Sequence, residues 1–148
     1  MTKGRLLLVP VLVLVVLVAI AVAASRVVRL GRPGQSATAG QATYGIVTPA
    51  QLNSMLAKKD FSFINVHVPY EGEIEQTDAF IPYDEIDKNL AQLPADKKAK
   101  IVLYCRSGRM SSMAAEELVK RGFSNVSHLD GGMAAWQAAG YSTVDRKR

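Results

Sequence analysis

The sequence has few of the residues that build metal sites and disulfides. Its 148 residues include one cysteine, Cys105, and two histidines, His67 and His128. A single cysteine excludes both an intrachain disulfide and a thiolate zinc cluster. The histidines show no HxxxH or HxxE spacing, so neither a metal nor an organic cofactor is expected. Acidic residues are absent from positions 1–43, which carry Lys3, Arg5, Arg26, Arg29 and Arg32. The remaining 13 of the 18 Lys and Arg residues meet 13 Asp and Glu, so the net charge of +5 belongs to the amino-terminal segment alone. A nucleic-acid binder carries its surplus on the folded domain, and nucleic acid is therefore not an expected partner. With 49% apolar and 21% charged residues, the chain is neither disordered throughout nor a coiled coil.

What the chain does contain begins with a basic leader, residues 1–5, and an uncharged run from Leu6 to Ala24 broken only by Pro10. As a helix this run spans about 28 Å, close to the hydrocarbon thickness of a bilayer. A cleaved signal peptide has a shorter apolar core, although Ala21-Val22-Ala23 offers a small-residue cleavage site. Length favours a single-pass anchor, so residues 6–24 are expected in the membrane. The basic residues on its two flanks nearly balance. The short leader resembles an export signal, which places the globular part outside the cytoplasm; a secreted or periplasmic product of cleavage is the alternative. Residues 25–43 read as a linker rich in Gly, Ser, Thr, Ala and Gln.

Residues 44–148 then form one domain of ordinary size. Thr48-Pro49-Ala50-Gln51 carries the signs of a helix start: a capping threonine, proline in the first turn and a capping-box glutamine. Phe61 to Val66 is rich in aromatic and branched residues and predicts a strand. A helix is expected from an Asp84 cap through Gln92, with Ile86, Leu90 and Leu93 facing inward. Ile101-Val102-Leu103-Tyr104 reads as a strand buried on both faces. Ser111 or Ser112 is expected to open a helix through Arg121 that ends at Gly122, and Met133 to Ala139 a last helix that ends at Gly140. Val126 to Leu129 lies between them as another strand. Alternating strands and helices predict an α/β fold with a mainly parallel sheet.

The lone cysteine stands where a strand gives way to a short loop and then a helix, the place where open α/β sheets bind ligands. Loop N–H groups, a helix N-terminus and the cations of Arg106 and Arg109 all favour thiolate over thiol. Cys105 is thus expected to have a lowered pKa and to act as a nucleophile. Ser107, Gly108, Met110 and Ser111 are expected to supply backbone donors for an oxyanion substrate or a sulfur anion.

Cys105-Arg106-Ser107-Gly108-Arg109-Met110-Ser111 after an apolar strand resembles the active-site loop of single-domain rhodaneses, the thiosulfate-type sulfurtransferases. Leu129-Asp130-Gly131-Gly132-Met133-Ala134-Ala135-Trp136, followed by Ala139-Gly140-Tyr141, is similar to the carboxyl-terminal signature of the same family. The resemblance covers roughly residues 44–145 and implies a rhodanese-like three-layer fold with a central sheet flanked by helices. It departs from the family where Asp-Val-Arg and Gly-His-Ile are usual: Asn65-Val66-His67 and Gly72-Glu73-Ile74 stand there. The activity implied is a two-step transfer. Cys105 takes the outer sulfur of a donor such as thiosulfate as a persulfide, and an external acceptor, cyanide or a thiol, removes it.

Two other readings compete. A cysteine phosphatase would need an arginine six residues after the cysteine, where Ser111 stands. An anchored module that carries a persulfide, binds a partner or senses redox state is the non-enzymatic alternative. Glu71, Glu73, Glu75 and Asp78 read as a solvated acidic loop, Met133 and Trp136 as core, and the basic tail from Arg146 as exposed.

Overall fold

The computed structural model describes residues 36–39 and 42–146. The leader and the run Leu6–Ala24 lie outside the described residues. Among the described residues no helix is long and apolar enough to cross a membrane.

The described residues begin with two strands, β1 (Ser36–Ala39) and β2 (Ala42–Val47), paired antiparallel. The sheet therefore begins inside the stretch 25–43 that composition assigns to a linker. Strand pairing is made by the backbone, and an edge hairpin of small residues needs no hydrophobic alternation to form. Helix α1 (Pro49–Leu56) starts on a complete capping box, with Gln51 N–H donating to Thr48 Oγ1 at 3.3 Å and Thr48 N–H to Gln51 Oε1 at 2.9 Å. Strand β3 (Ser62–Asn65) follows, then two short strands, β4 (Glu73–Ile74) and β5 (Ala79–Phe80).

The helix expected after Asp84 is instead a kinked 3-10 segment, Ile86–Gln92, with no side-chain cap. Asn89 has non-helical angles, and its Nδ2 donates at 2.9 Å to the Glu85 carbonyl, which also accepts Lys88 N–H at 3.1 Å. Ile86 and Leu93 are buried as expected, but Leu90 is 37% exposed. Strand β6 (Ile101–Tyr104) is buried throughout. Helix α2 (Arg109–Lys120), strand β7 (Val126–Leu129), helix α3 (Gly132–Ala138) and strand β8 (Thr143–Val144) complete the chain.

The main sheet runs in the order β1-β2-β7-β6-β3-β5, and every neighbouring pair except β1–β2 is parallel. Alternation along β6 divides the core into two layers. Ile101, Leu103 and Cys105 pack with Ala114, Ala115 and Leu118 of α2. Val102 and Tyr104 pack with Leu52 and Leu56 of α1 and with Met133 and Trp136 of α3. The Tyr104 hydroxyl reaches further than packing. It accepts from Ile74 N–H at 3.0 Å and lies 2.6 Å from Thr77 Oγ1, which donates to the Ile74 carbonyl at 2.6 Å. Burial pushes the Tyr104 phenol well above its ordinary range.

Strands β4 and β8 form a separate antiparallel pair. Its presence corrects the solvated reading at one position: Glu71, Glu75 and Asp78 are exposed, but Glu73 is fully buried and meets Arg146 Nε at 3.1 Å. The Arg146 N–H also donates to the Tyr70 hydroxyl at 3.1 Å, so the tail is tied down at this point.

Candidate active site

Cys105 directly follows β6 at its carboxyl end, on the α2 side of the sheet, and is only 1% exposed. The chain must turn at once to enter α2, and that turn is held from behind. Met133 N–H donates to the Cys105 carbonyl at 2.8 Å and Ala134 N–H to the Arg106 carbonyl at 2.9 Å. The first turn of α3 thereby takes up two carbonyls of the loop. So close an approach demands glycine at 132: with φ +58°, a Cβ there would lie 2.2 Å from the Cys105 carbonyl oxygen. Gly108 makes the second demand, since its φ of +90° is left-handed and a Cβ would come within 3.2 Å of Gly131 N.

With the carbonyls tied back, loop N–H groups turn toward the sulfur. Gly108 N–H donates to Cys105 Sγ at 3.1 Å and Ser111 N–H at 3.4 Å. Of the four backbone donors expected from sequence these two reach Sγ; the N–H groups of Ser107 and Met110 make no hydrogen bond to it. Met110 packs against the core instead, and Ser107 is exposed. Gly108, rather than Ser111 or Ser112, is the cap of α2, which therefore starts at Arg109. The two serine hydroxyls bond backward to Gly108 O and Arg109 O, at 3.0 and 2.8 Å.

The arginines lie at the rim. The Arg106 side chain is 63% exposed and its Nη1 pairs with Glu71 Oε2 at 2.5 Å. Arg109 is exposed and makes no ion pair among the described residues. Glu71 also accepts from His67 Nε2 at 3.1 Å, and the Arg106 guanidinium first, then His67, holds its carboxyl below the usual range. Asn65 is fully buried. Its Oδ1 accepts from His67 N–H and its Nδ2 donates to the Gly72 carbonyl, both at 3.0 Å. It thus braces the loop after β3 as a neutral residue. His67 Nδ1 is buried with no hydrogen-bond partner.

Sequence reasoning missed the polar chain behind the sulfur. Ser111 Oγ lies 3.6 Å from Sγ and 3.2 Å from Nδ1 of His128 on β7. The signal available was a histidine two residues after Val126 on an apolar strand, in phase with inward-facing positions. Desolvation lowers the His128 pKa, opposed by Asp130. Glu71 is exposed, as the acidic-loop reading has it, but its pairing with Arg106 is a contact the sequence does not show. Among the described residues no group of three or more His, Cys, Asp or Glu could hold a metal ion. The arrangement is suited to a sulfur nucleophile whose negative charge is met by main-chain dipoles.

The sequence profile of the rhodanese-like domain family matches residues 48–139. Over 104 residues the chain is 38% identical to the probable adenylyltransferase/sulfurtransferase MoeZ of Mycobacterium tuberculosis, covering 66% of this chain and 26% of that protein. A tRNA uridine(34) hydroxylase of Hamiltonella defensa is 32% identical over 56% of this chain and 25% of its own length. The crystal structure of a rhodanese-like domain protein from Staphylococcus aureus superposes with a TM-score of 0.59 at 26% identity, over 70% of this chain and 98% of that one.

Proposed function

Because the chain belongs to the rhodanese-like domain family, we propose that it is a sulfurtransferase that carries sulfane sulfur as a persulfide on Cys105. The observation that carries this reading is the pair of N–H donors aimed at Sγ. In the first step the Cys105 thiolate attacks the outer sulfur of a donor such as thiosulfate. The new S–S bond forms as the donor's own S–S bond breaks, and sulfite leaves with the electron pair. In the second step cyanide or a thiolate attacks the outer sulfur of the persulfide and departs as thiocyanate or a new persulfide, which restores the thiolate. Neither step needs a general base once the sulfur is an anion, and both place negative charge where the loop donors point.

Cys105 is the only cysteine. No internal thiol competes for the persulfide, and the acceptor comes from outside the chain. Arg109, which makes no ion pair among the described residues, and Arg106, shared with Glu71, are the side chains available to an anionic donor. A phosphatase reading is less well supported, because Ser111 occupies the position where that chemistry needs an arginine. The uncharged run Leu6–Ala24 supports a membrane tether for this activity, with the domain on the extracytoplasmic side.

The test is intact mass spectrometry of the full chain in detergent after incubation with thiosulfate. A gain of one sulfur atom that cyanide discharges, absent in Cys105→Ser, is the expected result. A sulfur adduct or turnover retained by Cys105→Ser would refute the mechanism.

A further inference from the structure

One hydroxyl proton behind the sulfur has three acceptors within reach. Ser111 Oγ donates to the Gly108 carbonyl at 3.0 Å, lies 3.2 Å from His128 Nδ1 and accepts from the Cys105 thiol at 3.6 Å, a contact that reverses once the sulfur is an anion. Ser111, His128 and Cys105 are all buried, so bulk water does not settle the competition. The Gly108 carbonyl already accepts Ser112 N–H at 3.0 Å, and it keeps a partner if the serine proton turns away. The destination of that proton then depends on the imidazole. A bare Nδ1 draws the hydroxyl proton to itself. A protonated Nδ1 donates into Oγ and leaves the hydroxyl proton for the sulfur. With Ser111 donating to Gly108 O, the 3.2 Å contact to His128 is a hydrogen bond only when Nδ1 carries the proton, because the hydroxyl has a single proton to give.

We propose that His128 is a positioning residue for the sulfur site: held in the Nδ1–H form, it donates to Ser111 Oγ and directs the serine hydroxyl to a sulfur anion on Cys105. The anion then has three donors, the N–H groups of Gly108 and Ser111 and the hydroxyl of Ser111. Formation of the anion swings the hydroxyl from the Gly108 carbonyl to Sγ while the bond from His128 stays in place. The Tyr44 ring, set edge-on to the imidazole with centroids 5.4 Å apart, limits the room in which the histidine can turn. The anion is the thiolate or the persulfide; only the effect on sulfur transfer rests on the reading of Cys105 as the sulfur carrier.

The experiment compares the native chain with His128→Asn, His128→Phe, Ser111→Ala and the double variant Ser111→Ala/His128→Phe. Asparagine keeps an N–H donor near the position of Nδ1, whereas phenylalanine keeps the ring without one. Loss of one hydrogen bond to an anion predicts sulfur transfer about tenfold slower in Ser111→Ala. His128→Phe is expected to be about fivefold slower and His128→Asn within about twofold of the native rate, as befits a donor acting at one remove. In the Ser111→Ala background the Phe substitution should add nothing. The pH midpoint of Cys105 alkylation by iodoacetamide should move upward in His128→Phe and Ser111→Ala and stay in place in His128→Asn.

An equal loss from His128→Phe with and without Ser111 would overturn the role and leave packing as the explanation. A ¹⁵N spectrum of the native chain placing the imidazole proton on Nε2 would do the same. If His128→Phe fails to fold, the Asn variant and the ¹⁵N spectrum still decide. The alkylation series reads the sulfur anion without any sulfur donor. A chain that shows the alkylation pattern but gains no sulfur upholds the His128 role and refutes the sulfur-carrier reading alone.

Discussion

Two neighbouring strands end side by side, Asn65 of β3 opposite Tyr104 of β6, and the chain leaves them by different means. After β6 the turn is made by main chain. Carbonyls are tied to α3, glycines occupy left-handed angles, and N–H groups converge on a sulfur. After β3 the turn is made by side chains: Asn65 bridges to His67 and Gly72, and His67 and Arg106 share Glu71. A main-chain turn fixes residues by what they lack, since a Cβ at Gly132 has nowhere to go. A side-chain turn fixes them by what they can bond, and several residue types can bond alike. That difference predicts that Gly108 and Gly132 tolerate no side chain, whereas positions 65 and 67 accept more than one hydrogen-bonding residue.

The sharpest way to break the contrast is Gly132→Ala. The left-handed angle alone costs a non-glycine residue about 1–2 kcal/mol, and the overlap with the Cys105 carbonyl adds to it. Urea unfolding should show a loss above about 3 kcal/mol, with sulfur transfer abolished in whatever fraction folds. A loss under about 1 kcal/mol would show that the loop is not pinned there.

Tyr104→Phe tests the layer beneath both turns. It removes the hydroxyl that satisfies the buried Ile74 N–H and Thr77. The expected destabilisation is about 1–3 kcal/mol, with the sulfur site functional in the folded protein.

Glu71→Gln sharpens the contrast at the rim, where side chains of the two loops meet. Releasing Arg106 should lower the KM for thiosulfate about threefold at low salt, an effect that fades as salt screens the exposed cation. An unchanged KM would mean that the donor does not approach Arg106.

The smallest effect expected is a pH dependence. The folded-state pKa of His128 lies below the ordinary value of 6.5, so at pH values under 6.5 the unfolded chain takes up a proton that the folded chain refuses. Stability should therefore fall with pH from that value down toward the folded-state pKa, and be unaffected by this group above it. Melting at pH 7.5 and 5.5 should show a larger drop for the native chain than for His128→Asn; equal drops would remove His128 as the source.

The parts legible in sequence are those in which a local pattern determines a local structure. The capping box at Thr48, the apolar run Ile101–Tyr104 and the glycines after α2 and α3 each act within a few residues of where they are read. The cysteine at a strand end was equally plain. The rest depends on distant partners. The hairpin Ser36–Val47 exists because β2 has β7 to pair with, and Glu73 is buried because Thr143–Val144 closes over it. The kink at Asn89 turns on one side-chain bond that propensity does not register. Ser111 and His128 are 17 positions apart and meet only across the space between α2 and β7.

A sulfur with 1% of its residue exposed also sorts reagents by girth. On the proposed sulfur-carrier reading, a slender donor reaches this sulfur more readily than an aromatic disulfide or a folded protein does. On that reading, the same burial that lets main-chain dipoles act on a persulfide at full strength also limits which acceptors reach it. The lifetime of the bound sulfur is therefore set by the shape of the molecule that arrives as much as by its reactivity.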